Sequence, residues 1–230
     1  LLSSAAAGFV SGLAVTRFGI TPLIATLGVN ALLLGTILRV THGGASATAT
    51  SGLARFSVGR VLGIPHIVLI AVAAIALVAF ILRATRFGRT FVAIGTSAAA
   101  AHAAGMAVRR YTLATYVIAS TFYGLAGILL AGYLRTPGLG VGDSYLLPSI
   151  AAVVLGGTSL AGGGGSVVAT AVGALFLTQL QQVVFGAGAA TSVQLLIQSS
   201  VIGLGMAIRT ISWRRWFGRR HGRRVATTAG

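Results

Sequence analysis

The sequence predicts an all-α fold, a polytopic transmembrane bundle of about seven spans, on three observations. Of its 230 residues 56% are hydrophobic and only 8% are charged, where a soluble domain carries about 25% charged residues. Mean hydropathy is +0.94, and the apolar residues fall in long Ala/Leu-rich runs rather than in alternation. The 17 basic residues, all arginine, collect where those runs stop. An all-apolar helix belongs in a core or in lipid, and one soluble domain of this size cannot enclose so many. Helix is preferred to strand as the spanning element, because the runs are long and Ala/Leu-rich and an unclosed sheet leaves its backbone unsatisfied in hydrocarbon.

A spanning helix needs roughly 20 mainly apolar residues. The runs at 1–15, 23–41, 66–83, 113–134, 146–160, 166–184 and 192–208 are the candidates, together forming one membrane domain over 1–210. The fifth is short and holds Gly156-Gly157. The chain opens on Leu1-Leu2 inside an apolar run, so a truncated N-terminus is expected. An Arg-rich tail, 211–230, follows the last span, with Trp213, Trp216 and Phe217 placed to lie at the headgroups.

Arginine sets the orientation, because basic residues favour the cytoplasmic flank. With 84–112 and the tail inside, the inner face collects Arg17, Arg83, Arg86, Arg89, Arg109, Arg110, Arg209, Arg214, Arg215, Arg219, Arg220, Arg223 and Arg224. The outer face keeps Arg39, Arg55, Arg60 and Arg135. Both basic regions lie inside only if an even number of crossings separates them, so 146–160 is expected to cross rather than dip. The expected location is the cytoplasmic membrane, with lipid as a partner. The clustering at span ends also sets aside nucleic acid as the reason for the net charge of +16.

Catalysis finds little support. General acid–base chemistry needs positioned titratable groups, and Asp143 is the single carboxylate. Cysteine is absent, and His42, His66, His102 and His221 are too far apart for a metal motif. Gly162-Gly163-Gly164-Gly165-Ser166 lacks the Lys and the preceding strand of a P-loop, and reads as a tight interhelical turn. No catalytic residue, metal site or cofactor is expected.

The polar groups inside the spans are neutral and suit an uncharged, hydroxyl-rich solute. Thr158, Ser159, Gln179 and Gln182 are candidates for a translocation pathway, with interhelical hydrogen bonding as the competing role for each. Asp143 and Tyr145 follow the Gly-rich stretch Gly138–Gly142 in the outer loop 135–145, where they are candidates to receive solute or gate it.

The inner loop 84–112 is the most informative segment. Ala98, Ala99, Ala100 and Ala101 should form a short helix, capped by Thr96 or Ser97 and ended by Gly105. With His102 on it and Arg109 and Arg110 behind it, it reads as a docking element, with an idle amphipathic linker as the competing reading.

Three stretches resemble the permease subunits of ribose-type ABC sugar importers. Phe18-Gly19-Ile20-Thr21-Pro22-Leu23-Ile24-Ala25-Thr26-Leu27-Gly28 is similar to that family's R-x-P-P-F-I-A-T-L-G segment. Gly88-Arg89, Ala93-Ile94-Gly95, Ala99-Ala100 and Gly105 resemble its cytoplasmic EAA-type loop. The most specific is Ser149 to Ser166, similar to A-I-A-A-V-V-L-G-G-T-S-L-x-G-G-x-G-S. The resemblance runs from about residue 8 to 208. It implies a permease without its own ATP site, paired with a second permease subunit as a homo- or heterodimer. It also implies an ABC ATPase subunit docked on 88–110 and an extracytoplasmic solute-binding protein at the outer face. The solute would be a monosaccharide of the ribose, xylose or galactose kind. Ala98 stands where that loop usually has Glu, and Leu146 and Pro148 where many members have Glu and Asp.

A stand-alone secondary transporter or channel for a small neutral solute is the alternative, and a membrane scaffold is a third. An ion-driven carrier should hold ionisable groups within its spans, and these spans are nearly free of them.

Overall fold

The computed structural model describes residues 1–42, 48–61, 63–159 and 162–186, with single positions 188, 196, 199, 200 and 203 beyond. The described helices are α1 (Leu2–Phe18), α2 (Pro22–Val40), α3 (Ser51–Val58), α4 (His66–Ala84), α5 (Arg86–Thr96), α6 (Ala98–Ala103), α7 (Val108–Leu134), α8 (Leu146–Leu155) and α9 (Val167–Gly186). A two-residue antiparallel pair, β1 (Arg60–Val61) and β2 (Ile64–Pro65), is the strand content among them. The chain divides into two units: Leu1–Leu146 with Ala161–Gly164, and Leu147–Leu160 with Gly165–Gly230.

The helices are apolar enough to need lipid. α2, α4, α7 and α9 each have the length and composition to cross a bilayer, and α1 is a shorter apolar helix. α4 has no buried residue and presents Val68, Leu69, Val72, Leu77 and Phe80 outward. Exposing that surface to water would be unfavourable by about 25 cal/mol for each Å². Hydrocarbon removes the penalty.

In the first unit α1 and α7 run antiparallel with small residues at the seam. Ser4 meets Gly124, Gly8 meets Ser120 and Gly12 meets Tyr116. Steps of four on α1 are matched by steps of four on α7, which keeps one face of each helix in contact. Lipid tails give no hydrophobic drive between helices, so close backbone approach through small residues supplies the association. α1 ends at Gly19 in the left-handed conformation, φ 66°, and Pro22 opens α2 where its missing N–H is no loss.

Contacts along α7 also order the loops. At its start, the Arg109 Nε–H donates to the Thr16 carbonyl at 2.9 Å, and Phe87 of α5 stacks on Tyr111. At its far end, Gly132 meets Ser57 of α3, and the Ala49 N–H donates to the Arg135 carbonyl at 2.7 Å. Arg17, Arg86, Arg89, Arg109 and Arg110 therefore lie toward one end of α7, and Arg55 and Arg135 toward the other.

Two expectations need correction. The fourth run is five residues longer than expected, because nothing after Met106 breaks the helix and α7 starts at Val108. The fifth run does not form a helix over 146–160. α8 ends at Leu155, where the Gly157 N–H returns to the Val154 carbonyl and the Thr158 N–H to that of Val153. Gly157 takes φ 76°, a C-terminal stop of the Schellman kind. Ten residues rise about 15 Å, half of a hydrocarbon core of about 30 Å. A 3-10 turn, Val141–Tyr145, leads into it.

In the second unit α8 and α9 pack as an antiparallel hairpin. Gly156 lies against Thr170, and Gly173 against the Ala152 carbonyl. Ala151, Ala152 and Leu177 form its buried centre. The seventh expected span and the tail lie outside the described residues, apart from the single positions named above.

Candidate functional site

The loop 84–112 is built by three hydroxyl and glycine devices. The Thr85 hydroxyl donates to the Ile81 carbonyl at 2.6 Å and accepts from the Gly88 N–H at 3.2 Å. It thereby stops α4 and caps α5 within one residue. Gly88 sits so close to the Leu82 backbone that a β-carbon there would collide with it. The Ser97 hydroxyl then accepts the Ala100 N–H at 3.2 Å, capping α6 as expected. Thr96 is not the cap; its hydroxyl donates back to the Ala93 carbonyl at 2.7 Å.

α6 is one and a half turns of alanine and histidine. Ala98, Ala99, Ala100 and His102 are exposed, whereas Ala101 is buried. The Gly105 N–H donates to the His102 carbonyl and the Met106 N–H to that of Ala101, both at 3.0 Å. Gly105 takes φ 76° to close this turn, a conformation that L side chains adopt with difficulty. Arg86 and Arg89 lie on α5 and Arg109 and Arg110 on α7, the helices before and after α6, and the stretch 84–112 contains no acid. The exposed residues of this stretch are therefore small in the middle and cationic on either side in sequence.

Arg109 lies in the first turn of α7 and holds the end of α1 through the Thr16 carbonyl. Arg110, next to it, is exposed.

The translocation candidates fall in both units. Asp143 and Tyr145 are exposed in the 3-10 turn of the first unit, with the Asp143 N–H on the Gly140 carbonyl at 2.9 Å. Thr158, Ser159, Gln179 and Gln182 belong to the second unit. The Thr158 hydroxyl lies 3.1 Å from that of Thr170, one turn into α9, and Ser159 beside it is half-buried. Gln179 and Gln182 are exposed three residues apart, hence on one face of α9. Nine residues separate Thr170 from Gln179, about 13 Å along the axis. Thr158 and the glutamines thus mark opposite ends of α9. Among the described residues no three His, Cys, Asp or Glu side chains group as metal ligands.

Sequence reasoning missed α5, α3 and a contact between Gly95 and the turn Gly162-Gly163. Thr85 three residues ahead of Gly88 was the available signal for α5. The glycine contact joins residues 67 positions apart and left no local signal.

The family described as the branched-chain amino acid transport system / permease component matches residues 1–206. The chain belongs to that family. It is a multi-pass protein of the cytoplasmic membrane. The ribose import permease protein of Escherichia coli K12 is 34% identical over 212 residues, covering 90% of this chain and 66% of the relative. The ribose import permease protein of Bacillus subtilis is 36% identical over 194 residues, covering 84% and 60%. The galactose/methyl galactoside import permease protein of Haemophilus influenzae is 32% identical over 216 residues, covering 90% and 64%. The chain therefore spans just under two thirds of the length of these relatives. No solved structure matches it. The resemblance to ribose-type importer permeases, read from three motifs, is borne out by these relatives.

Proposed function

We propose that the chain is the membrane-spanning subunit of an ATP-driven importer that carries a monosaccharide of the ribose or galactose kind inward. The observation that carries the reading is α6. A short, capped, exposed helix of small residues, held between two arginine-bearing helices at the basic end of α7, is the shape a partner cleft can accept. A permease without its own nucleotide site must receive work mechanically through such an element. The partner is then an ABC ATPase subunit, and the solute arrives from an extracytoplasmic binding protein. Small-residue faces on the spans suit pairing with a second permease subunit.

The sugar reading rests on the names of the relatives and on the neutral polar groups of α9. Hydroxyl-rich solutes exchange hydrogen bonds with amides and hydroxyls without introducing charge into the bilayer. Asp143 and Tyr145 stand in the outer loop and receive the solute there, while Thr158, Ser159, Gln179 and Gln182 line its route.

The test is reconstitution with an ABC ATPase and a solute-binding protein from the same organism. Uptake of labelled ribose or galactose that depends on ATP and on the binding protein is the expected result. Uptake driven by an ion gradient without the ATPase would overturn it in favour of a secondary transporter.

A further inference from the structure

The end of α5, just ahead of α6, makes a contact that the docking role does not use. Gly95, in the last turn of α5, and Gly162-Gly163, in the turn that precedes α9, meet backbone to backbone. A β-carbon placed on Gly95 would stand 3.3 Å from the Gly163 nitrogen. One on Gly162 would stand 2.6 Å from the Gly95 carbonyl oxygen, and one on Gly163 3.2 Å from the Thr96 γ-methyl. Gly162 and Gly163 take φ 95° and 88°. The turn is therefore glycine for two independent reasons, conformation and proximity. Gly164, the next residue, has neither constraint: nothing lies within 4 Å of a β-carbon there.

The position of this contact gives it a consequence. Gly95 and Thr96 immediately precede Ser97, the residue that caps α6. Gly162 and Gly163 belong to the same unit as α5 and α6, and the chain runs from them through three residues into α9. Two backbones in direct contact, with no side chain between them to rotate aside, transmit displacement with little slack. We propose that the Gly95–Gly162–Gly163 contact is the mechanical link by which movement of α6 is passed to α9. These three glycines are positioning residues for transport; they touch neither nucleotide nor solute. The inference rests on the reading of α6 as the ATPase contact.

Gly95 is the position at which to test it, because it is helical and its φ is not positive. Gly95→Val wedges the contact open without straining the turn. Gly164→Val, in the open part of the same turn, is the control. The measurements are ATPase activity of the reconstituted complex with and without loaded binding protein, solute uptake, and cross-linking of an Ala100→Cys permease to the ATPase. Gly95→Val should keep the cross-link and basal hydrolysis, while binding-protein stimulation and uptake fall by roughly tenfold, an ordinary allosteric coupling change. Gly164→Val should behave as the parent. If Gly95→Val does not assemble, Gly95→Ala decides, since its single methyl still presses on Gly163 and favours the helix. Normal uptake in whichever Gly95 variant assembles overturns the link. Absence of the cross-link in the otherwise unaltered permease overturns the reading of α6 instead.

Discussion

Gly8 of α1 lies so close to Ser120 of α7 that a β-carbon on Gly8 would stand 2.5 Å from the Ser120 hydroxyl oxygen. It would also stand 2.6 Å from the Tyr116 carbonyl, which is backbone and cannot rotate away. The contact is the middle of the Ser4–Gly124, Gly8–Ser120, Gly12–Tyr116 seam. Gly8→Val should therefore separate the helices and destabilise the detergent-solubilised protein by about 1–3 kcal/mol, the usual effect of overpacking. Gly28→Val on α2, with nothing within 4 Å of a β-carbon, should change stability little beyond helix propensity. Thermal unfolding followed by size-exclusion chromatography distinguishes them, and equal losses would refute the seam.

The seam shows how far the sequence could be read. The Gly8–Gly12 spacing marks a packing face on α1, but its partner on α7 is set by a register that no local pattern contains. Four of the expected spans matched helices long enough to cross, because hydropathy and arginine act locally. α8 was overestimated because the expected run was carried across Gly156-Gly157 to Leu160, and Gly157 stops the helix. The candidate site divides in the same way. Ser97 and Gly105 are local capping devices and were legible, whereas the bond from Arg109 was not, because its acceptor, Thr16, lies 93 residues away.

Arg109 gives a second prediction. Its Nε–H fixes the last turn of α1 at an exposed site, so solvent weakens the bond. Arg109→Ala should lower stability by about 1 kcal/mol or less. Arg110→Ala should lower it by less still. Rising salt should narrow the difference between the two variants, since the exposed cation is screened. A larger loss for Arg110 would contradict the geometry.

Thr158 and Thr170 give a third. Their hydroxyls are 3.1 Å apart where the α8–α9 hairpin closes. Interhelical hydrogen bonds in membranes average about 0.6 kcal/mol, so each Thr→Val change should be mild. A double-mutant cycle with Thr158→Val and Thr170→Val should show coupling of that size. Purely additive losses would assign the hairpin to Gly156 and Gly173 packing alone.

Topology provides a fourth. The start of α7 gathers five of the inner arginines, and its far end gathers α3 and Arg135. The native chain has no cysteine, so single introduced thiols report cleanly. Thr48→Cys should react with an impermeant maleimide in intact cells, and Ala98→Cys only after permeabilisation. The reverse pattern would invert the arginine argument.

The last prediction concerns α6 itself and separates surface from interior within six residues. Ala100 is exposed and Ala101 buried, so the same bulky substitution should fail differently at each. Ala100→Trp leaves the fold unstrained but fills the space a partner cleft would occupy. Ala101→Trp instead overpacks the loop, an effect of about 1–3 kcal/mol, and should lower thermal stability as well as coupling. Gly105→Val acts through the backbone. At φ 76° a non-glycine residue is strained by about 1–2 kcal/mol, and β-branching adds to it. The return of Met106 to Ala101 would then weaken and α6 would fray. His102→Asn should matter least, because the side chain is exposed and its backbone carbonyl, not its ring, closes the turn. The measurements are ATPase stimulation by loaded binding protein and thermal stability of the permease alone. Lost stimulation with unchanged stability in Ala100→Trp identifies a docking surface. Full stimulation in both Ala100→Trp and Gly105→Val would remove α6 from the coupling path, since neither the face nor the turn that holds it would then be needed.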